Sequence, residues 1–402
     1  MFFRLQLARV LAAVCILSCT AFAGCSSRNG MPSGVVPMVP SSVSAPASHL
    51  YVWNASVPPA ELDEYPTTGG NPILRIKSPR GISAGRTTID GNGTLYINGG
   101  PPYAPHIDEY KAGSTKPFKT ITKGVGSVIG LTTDEKNDLY LLDAGGPLVK
   151  YAPGATTPAF ATYSGLCTQR SSAGPEVLTA DRNGNAYVLA SCAGNRQSRG
   201  VVLQYDGRGK VTRTISIRLP RQPYAITVDA AGRLYVAFAE FSGGIRLGVA
   251  EYDPGATKPA SSFYVGQRLT TSGQINVTPP VVDDSSGTLF VTFTLCSATG
   301  ITASKCTSAV YLFPHGVTTA SKTLRAPAGT IYDAPVLDAA GNLYVEASSK
   351  SSVLTIERFA KDTWNGKTVV SGHKLLLGFA WPTIGSSRSS IVEAPSVGVG
   401  RP

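Results

Sequence analysis

Charge is scarce in this sequence: only 15% of its 402 residues are Asp, Glu, Lys or Arg, against roughly 25% in ordinary soluble domains. Sparse Glu and Lys argue against a helical bundle and against an enzyme of alternating strands and helices. Methionine (3 residues) and histidine (4 residues) are also rare, which argues against a haem or metal-rich protein. His49, His106, His315 and His373 sit at non-equivalent places and form no cluster. A Walker loop, a dinucleotide fingerprint and an HExxH pair are all missing. Gly81-Ile-Ser-Ala-Gly85 matches G-x-S-x-G, but it leads into a strand and not the strand-to-helix turn that exposes a nucleophilic serine.

No apolar run approaches the 20 or so residues that span a bilayer. Val10 to Phe22 is shorter, follows Arg4 and Arg9, and precedes the first acid at Glu61. Residues 1–24 therefore read as a signal peptide. Ala21-Phe22-Ala23 offers an ordinary cleavage site, and Phe22-Ala23-Gly24-Cys25 resembles a bacterial lipobox. Cysteine parity bears on the choice. Of seven cysteines, Cys15 and Cys19 leave with the signal, and Cys167, Cys192, Cys296 and Cys306 form two local pairs. The odd one is Cys25, and an odd cysteine in an exported chain needs an explanation. Lipidation supplies it, with the Ser/Pro-rich residues 25–47 as a tether. The expected address is the bacterial outer membrane or cell surface, with a soluble periplasmic or secreted form as the alternative. In an oxidising compartment the expected disulfides are Cys167–Cys192 and Cys296–Cys306.

What the chain has in quantity is glycine (43), proline (29) and tyrosine (17), and these are periodic. A Leu-Tyr-Val strand recurs with its aromatic at Tyr51, Tyr96, Tyr140, Tyr187, Tyr235, Phe290 and Tyr344, at spacings of 45, 44, 47, 48, 55 and 54 residues. A second aromatic followed by a turn recurs at Tyr65, Tyr110, Tyr151, Tyr205, Tyr252, Phe313 and Phe359. Before the first element stands an apolar strand, an Asp and a glycine turn, as in Ile89-Asp90-Gly-Asn-Gly and Val228-Asp229-Ala-Ala-Gly. The Asp side chain is expected to bond back to the turn amides. The turns lack the spaced carboxylates and closing Glu of a calcium loop.

Each unit reads strand A, Asp-Gly turn, strand B, loop, strand C, Pro-Gly turn, strand D: one blade of a propeller. The fold class is thus all-β, a β-propeller of seven four-stranded blades over residues 48–390, with a tail at 391–402. Six blades is the runner-up. Copy one lacks strand A, and Trp381-Pro-Thr-Ile near the C-terminus supplies a candidate, so N- and C-terminal strands are expected to pair and close the ring. A monomer is expected.

Pro223-Tyr-Ala-Ile-Thr-Val-Asp-Ala-Ala-Gly-Arg-Leu-Tyr-Val236 resembles the repeats of NHL-type and gluconolactonase-like propellers. That likeness implies the fold and says little about activity. In such a ring the D–A and B–C connections share one face, here called the loop face, around the channel mouth. The residue five before each A–B Asp marks that mouth: Gly85, Ile129, Glu176, Tyr224, Thr278 and Asp333, with Trp381 as the seventh. Arg86 and Asn276 lie close by. Gluconolactonase-like propellers hold calcium in this region and use an Asp for lactone hydrolysis. The resemblance thus implies Glu176, Asp333 and Asn276 as partial calcium ligands, although a full ligand set is not recognisable. Otherwise no cofactor and no catalytic residue is expected.

Losing Arg4 and Arg9 leaves 34 basic against 25 acidic residues, a net charge of +9. The basic residues are dispersed, which fits anionic envelope polymers or lipid head groups better than nucleic acid. The reading is a binding or scaffold module for a protein, peptide or glycan at the envelope. The alternative is a calcium-dependent lactonase-like hydrolase.

Overall fold

The structure is a computed structural model. It describes residues 49–374 apart from 55–60, 78–85, 101–102, 145, 164–174, 195–196, 218–219, 270–272, 298–305, 339 and 350–352. The signal peptide, the tether, Cys25, Gly85, Cys167, Trp381 and the tail lie outside the described residues, as do the side chains of Glu176 and Cys192.

Every strand pairing is antiparallel, and the strands form seven sheets in chain order. Blade 1 contains β1 (His49–Asn54), β2 (Glu61–Pro66) and β3 (Leu74–Lys77). Blade 2 contains β4 (Thr87–Ile89), β5 (Leu95–Gly99), β6 (His106–Tyr110) and β7 (Lys119–Ile121). Blade 3 follows with β8 (Val128–Thr133), β9 (Leu139–Asp143), β10 (Leu148–Tyr151) and β11 (Phe160–Thr162). Blade 4 has β12 (Pro175–Ala180), β13 (Ala186–Gly194), β14 (Gln197–Tyr205) and β15 (Val211–Ile217). Blade 5 has β16 (Arg221–Val228), β17 (Leu234–Glu240), β18 (Ile245–Tyr252) and β19 (Ser261–Leu269). Blade 6 comprises β20 (Gly273–Val277), β21 (Val281–Asp283), β22 (Thr288–Ser297), β23 (Cys306–Phe313) and β24 (Lys322–Arg325). Blade 7 comprises β25 (Thr330–Leu337), β26 (Leu343–Ser349), β27 (Val353–Phe359) and β28 (Gly366–Lys374).

The molecule is therefore a seven-bladed propeller, and six blades is excluded. Two blades depart from the expected four strands. Blade 1 has three among the described residues. Blade 6 has five, because Pro279-Pro280 splits its inner strand into β20 and β21, proline having no N–H for the ladder. The stretch from Ala193 to Gly200 is mostly ladder: β13 and β14 pair out to Gly194 and Gln197.

Successive residues of the Leu-Tyr-Val strand alternate between the two blade seams as the period of two requires, and the central aromatic faces the next blade each time. Tyr51 packs with blade 2, Tyr96 with blade 3, Tyr140 with blade 4, Tyr187 with blade 5 and Tyr235 with blade 6. The last cluster joins three blades: Phe290 of blade 6, Tyr344 of blade 7, and Leu50, Val52 and Tyr65 of blade 1. Blade 7 thus packs on blade 1 and the ring is closed. At that seam Gly70 N donates to Val369 O at 3.2 Å. Gly69, at φ +87°, lies so near that a Cβ would sit 2.5 Å from Val369 O, so only glycine fits there.

The Asp-Gly turns bear out the expectation and add to it. In each, one carboxylate oxygen accepts amides in the turn, for example Asn92 N and Thr94 N on Asp90, at 2.9 and 2.8 Å. The other oxygen accepts the hydroxyl of the central tyrosine: Tyr96, Tyr140, Tyr187, Tyr235 and Tyr344 donate to Asp90, Asp134, Asp181, Asp229 and Asp338 at 3.0–3.3 Å. Those tyrosines are not plain core, because each also ties its strand to the turn before it. Blade 6 has Phe290 in that place, and Lys361 of blade 7 donates to Asp283 instead, at 2.8 Å.

The same turns are knitted to one another. Gly91 N donates to Asn137 Oδ1 across blades 2 and 3, and Lys136 Nζ donates to Asn183 O across blades 3 and 4. Arg182 bridges Glu135 of blade 3 (2.8 Å) and Asp284 of blade 6 (3.3 Å). Asp284 also accepts Ala230 N of blade 5 at 2.9 Å. Burial lifts the Asp284 carboxyl to about 6, against the pull of that amide and of Arg182. Replacing Arg182 by Met leaves Asp284 buried without its cation. The expected loss is about 1.5 kcal/mol, read as a lowered urea midpoint.

Candidate functional site

With the turn face tied by this polar belt, the loop face is where the connections vary. The positions marked as the channel mouth share a backbone feature. Ile129, Glu176 and Tyr224 each fall at a register shift in the inner strand, between Val128 and Gly130, Pro175 and Val177, and Pro223 and Ala225. Asp333 opens the shift that ends at Val336, and Thr278 lies in the break between β20 and β21. A bulge re-aims one side chain out of the alternation. Five blades therefore bend their inner strand at the position the sequence marks.

The individual side chains differ. Tyr224 is half-buried and packs on the seam of blades 5 and 6. Arg86 precedes β4 and is fixed by its backbone: its N donates to Asn98 Oδ1, and its O accepts Asn98 N at 3.0 Å. Burial lowers its guanidinium to about 10, and Nη1 has no hydrogen-bond partner. Asn276 stands opposite Thr294 in the ladder. Thr294 and Ser308 share a 2.6 Å hydrogen bond, both hydroxyl oxygens lie 3.2 Å from Tyr332 O, which accepts from the one whose proton is not used between them, and Tyr332 N donates to Ser308 Oγ at 3.0 Å. This network fastens blade 6 to the residue before Asp333. Asn276 and Asp333 thus occupy adjacent blades, whereas Glu176 belongs to blade 4. Among the described residues no three His, Cys, Asp or Glu side chains are grouped to hold a metal ion.

Sequence reasoning missed Glu346. It faces Asp333 directly across the β25–β26 ladder. Glu346 is 1% exposed, and neither carboxylate oxygen has a hydrogen-bond partner. Burial first, then the Asp333 carboxylate, raises its pKa well above the ordinary range, because both disfavour the charged form. A signal was present in the repeat. The residue after each Leu-Tyr-Val is Trp53, Asn98, Leu142, Leu189, Ala237, Thr292 and Glu346, and Glu346 alone in that column is ionisable.

A second polar cluster lies at the loop-face end of blade 5. Tyr264 donates to Glu240, Ser242 Oγ donates to Glu240 at 2.7 Å, and Arg221 lies 3.5 Å from the same carboxylate. Arg246 stacks 3.8 Å from the Tyr264 ring centre, and Arg221 lies 4.6 Å from that of Phe238. Hydrogen bonds from Ser242 and Tyr264 hold the Glu240 pKa below its usual value. Large exposed aromatics complete this face. Tyr103 (89% exposed) and Phe241 (43%) sit on B–C connections, and Tyr163 (58%) follows β11 into a D–A connection. The hairpin between β22 and β23 is clamped by the Cys296–Cys306 disulfide, which joins facing residues. Replacing both cysteines by Ala is expected to cost about 2 kcal/mol for so short a loop, read as a lower melting temperature.

No protein-family model matches the chain, and no curated protein matches its sequence. Solved structures do match. A periplasmic gluconolactonase of Pseudomonas aeruginosa superposes with a TM-score of 0.57 at 10% identity, over 81% of this chain and 97% of that one. A candidate 6-phosphogluconolactonase from Bacteroides uniformis gives 0.54 at 10% identity, over 80% and 95%. A dihydro-heme d1 dehydrogenase gives 0.50 at 12% identity, over 84% and 76%. At such identities the likeness is one of fold, which these comparisons and the seven sheets agree is a β-propeller.

Proposed function

We propose that the chain is exported, anchored through a lipid on Cys25, and works as a binding module whose loop face engages a protein, peptide or glycan of the cell envelope. The observation that carries this reading is the placement of exposed aromatics. Tyr103, Tyr163 and Phe241 all lie on loop-face connections, and exposed aromatic side chains are the usual anchors of binding surfaces. The belt on the opposite face and the disulfide on the β22–β23 hairpin hold that surface rigid, so little ordering entropy is lost on binding.

The test is co-sedimentation of the mature protein with washed envelope fragments. A Tyr103→Ser, Phe241→Ser double variant should bind at least tenfold more weakly. Phe118→Ser, on the C–D turn of blade 2 where Lys111 lies 5.5 Å from the ring centre, should bind as the parent does. Equal binding by all three would remove the reading.

The Asp333–Glu346 pair favours a second reading, a lactonase-like hydrolase. Calcium takes hard oxygen ligands, and these two carboxyls with the Asn276 amide are the described side chains that would supply them; Glu176 is the fourth candidate. A bound calcium would polarise a lactone carbonyl. Stoichiometric calcium lost in Glu346→Gln, together with lactone hydrolysis, would place this reading first.

A further inference from the structure

Away from the channel, a groove of about 560 Å³ opens between β19 of blade 5 and the outer strands of blade 6. That volume suits a small ligand. Val265, Tyr311 and Phe313 give it apolar and aromatic walls, Thr318 and Thr323 add hydroxyls, and Arg325 supplies a cation. The walls are pre-set. Phe313 packs 4.7 Å from Phe263, and Tyr311 packs edge-on at 6.3 Å from Phe293, centre to centre. Gly266 lines the groove at φ +70°, and a Cβ there would meet the Tyr311 hydroxyl at 3.4 Å. A side chain at 266 would crowd the space that glycine leaves clear.

The charge in the groove is of one sign. Arg325 is exposed, and among the described residues it makes no ion pair and no carboxylate lines the groove. A guanidinium is the preferred partner of a carboxylate. An aromatic wall accepts the apolar face of a ring, and threonine hydroxyls exchange hydrogen bonds with ring hydroxyls.

We infer that this groove is a binding site for an acidic saccharide, a hydroxylated sugar ring bearing one carboxylate that pairs with Arg325. The groove reaches the loop-face cluster at Tyr264, but Arg325 takes no part in that cluster, so the assignment stands or falls independently of the loop-face reading. The full mature chain is titrated with galacturonate, galactose and inorganic phosphate, with affinities read by saturation-transfer NMR. Galacturonate should bind at least tenfold more tightly than galactose, about 1.4 kcal/mol, and phosphate should bind more weakly than galacturonate. Arg325→Gln should bring galacturonate down to the galactose level, and Arg325→Lys should fall between. Arg325 is exposed, so an unchanged melting temperature shows that the variants are folded. Equal binding of the two sugars, phosphate binding as tight as galacturonate, no binding of any probe, or an Arg325→Gln variant that binds like the parent would each overturn the assignment.

Discussion

Asp181→Ala is expected to destabilise the propeller by about 4 kcal/mol, while Asp206→Ala in the same blade costs about 1 kcal/mol. Both residues head a glycine turn, and both accept two turn amides at 2.9 Å: Asn183 and Asn185 for Asp181, Arg208 and Lys210 for Asp206. The difference is what else they hold. Asp181 is buried and also accepts Asn185 Nδ2 at 2.8 Å and the Tyr187 hydroxyl at 3.0 Å. Alanine there orphans four donors, one of them a tyrosine hydroxyl inside the seam with blade 5. An orphaned buried donor costs about 1–3 kcal/mol where water cannot replace the partner. At Asp206, nearer the surface, water replaces the carboxylate. Asp181→Asn, which keeps the acceptor for the amides, should lose less than half as much. Urea melts of the three variants decide this. A loss at Asp181 no greater than that at Asp206 would show that the tyrosine link contributes nothing.

Glu346→Gln is expected to act in the opposite direction, stabilising the protein by about 3 kcal/mol at pH 8, within the range found when buried ionic groups are replaced. The parent carboxyl is buried beside Asp333 without a partner, and its pKa is raised in the folded state. In the unfolded chain it titrates near its ordinary 4.5. Below that pH both states hold the proton and the substitution changes little. As pH rises above 4.5 the unfolded state releases its proton and the folded state keeps it, so parent stability falls with pH. The gain from glutamine should be absent at pH 4 and grow toward pH 8. A loss of stability that grows from pH 4 to pH 8 would mean instead that Glu346 is ionised in the fold and paired with a cation. Because calcium would be such a cation, repeating the melts with and without calcium also separates the two functional readings.

The repeat was legible because each blade needs the same few things: left-handed turn residues, an acid to gather the turn amides, and an aromatic for the seam. Asn137 shows how strict this is, taking φ +64° where other copies use glycine. What escaped was what the copies do not share. Pro279-Pro280 splits one strand by removing two ladder donors, a local effect overridden in the reading by the count of four. The tyrosine–aspartate link was implicit in a constant spacing of six residues, from Asp90 to Tyr96 and from Asp338 to Tyr344. It could be recognised only once antiparallel pairing folded the turn over the ring. Glu346 was hidden for a different reason. A lone acid in an otherwise mostly neutral column reads as a surface residue until the seam around it is seen to be closed. Four of the marked mouth positions, Ile129, Glu176, Tyr224 and Asp333, fall at strand bulges, a backbone property that spacing detects without saying which side chains converge.

We propose that this closed ring binds through its loop face. Hydrogen–deuterium exchange of the mature protein with and without solubilised envelope polymer tests it most directly. Exchange should slow in the connections around Tyr103, Tyr163 and Phe241, with the Asp-Gly turns of the opposite face unchanged. Protection confined to those turns, or no protection on either face, would contradict it.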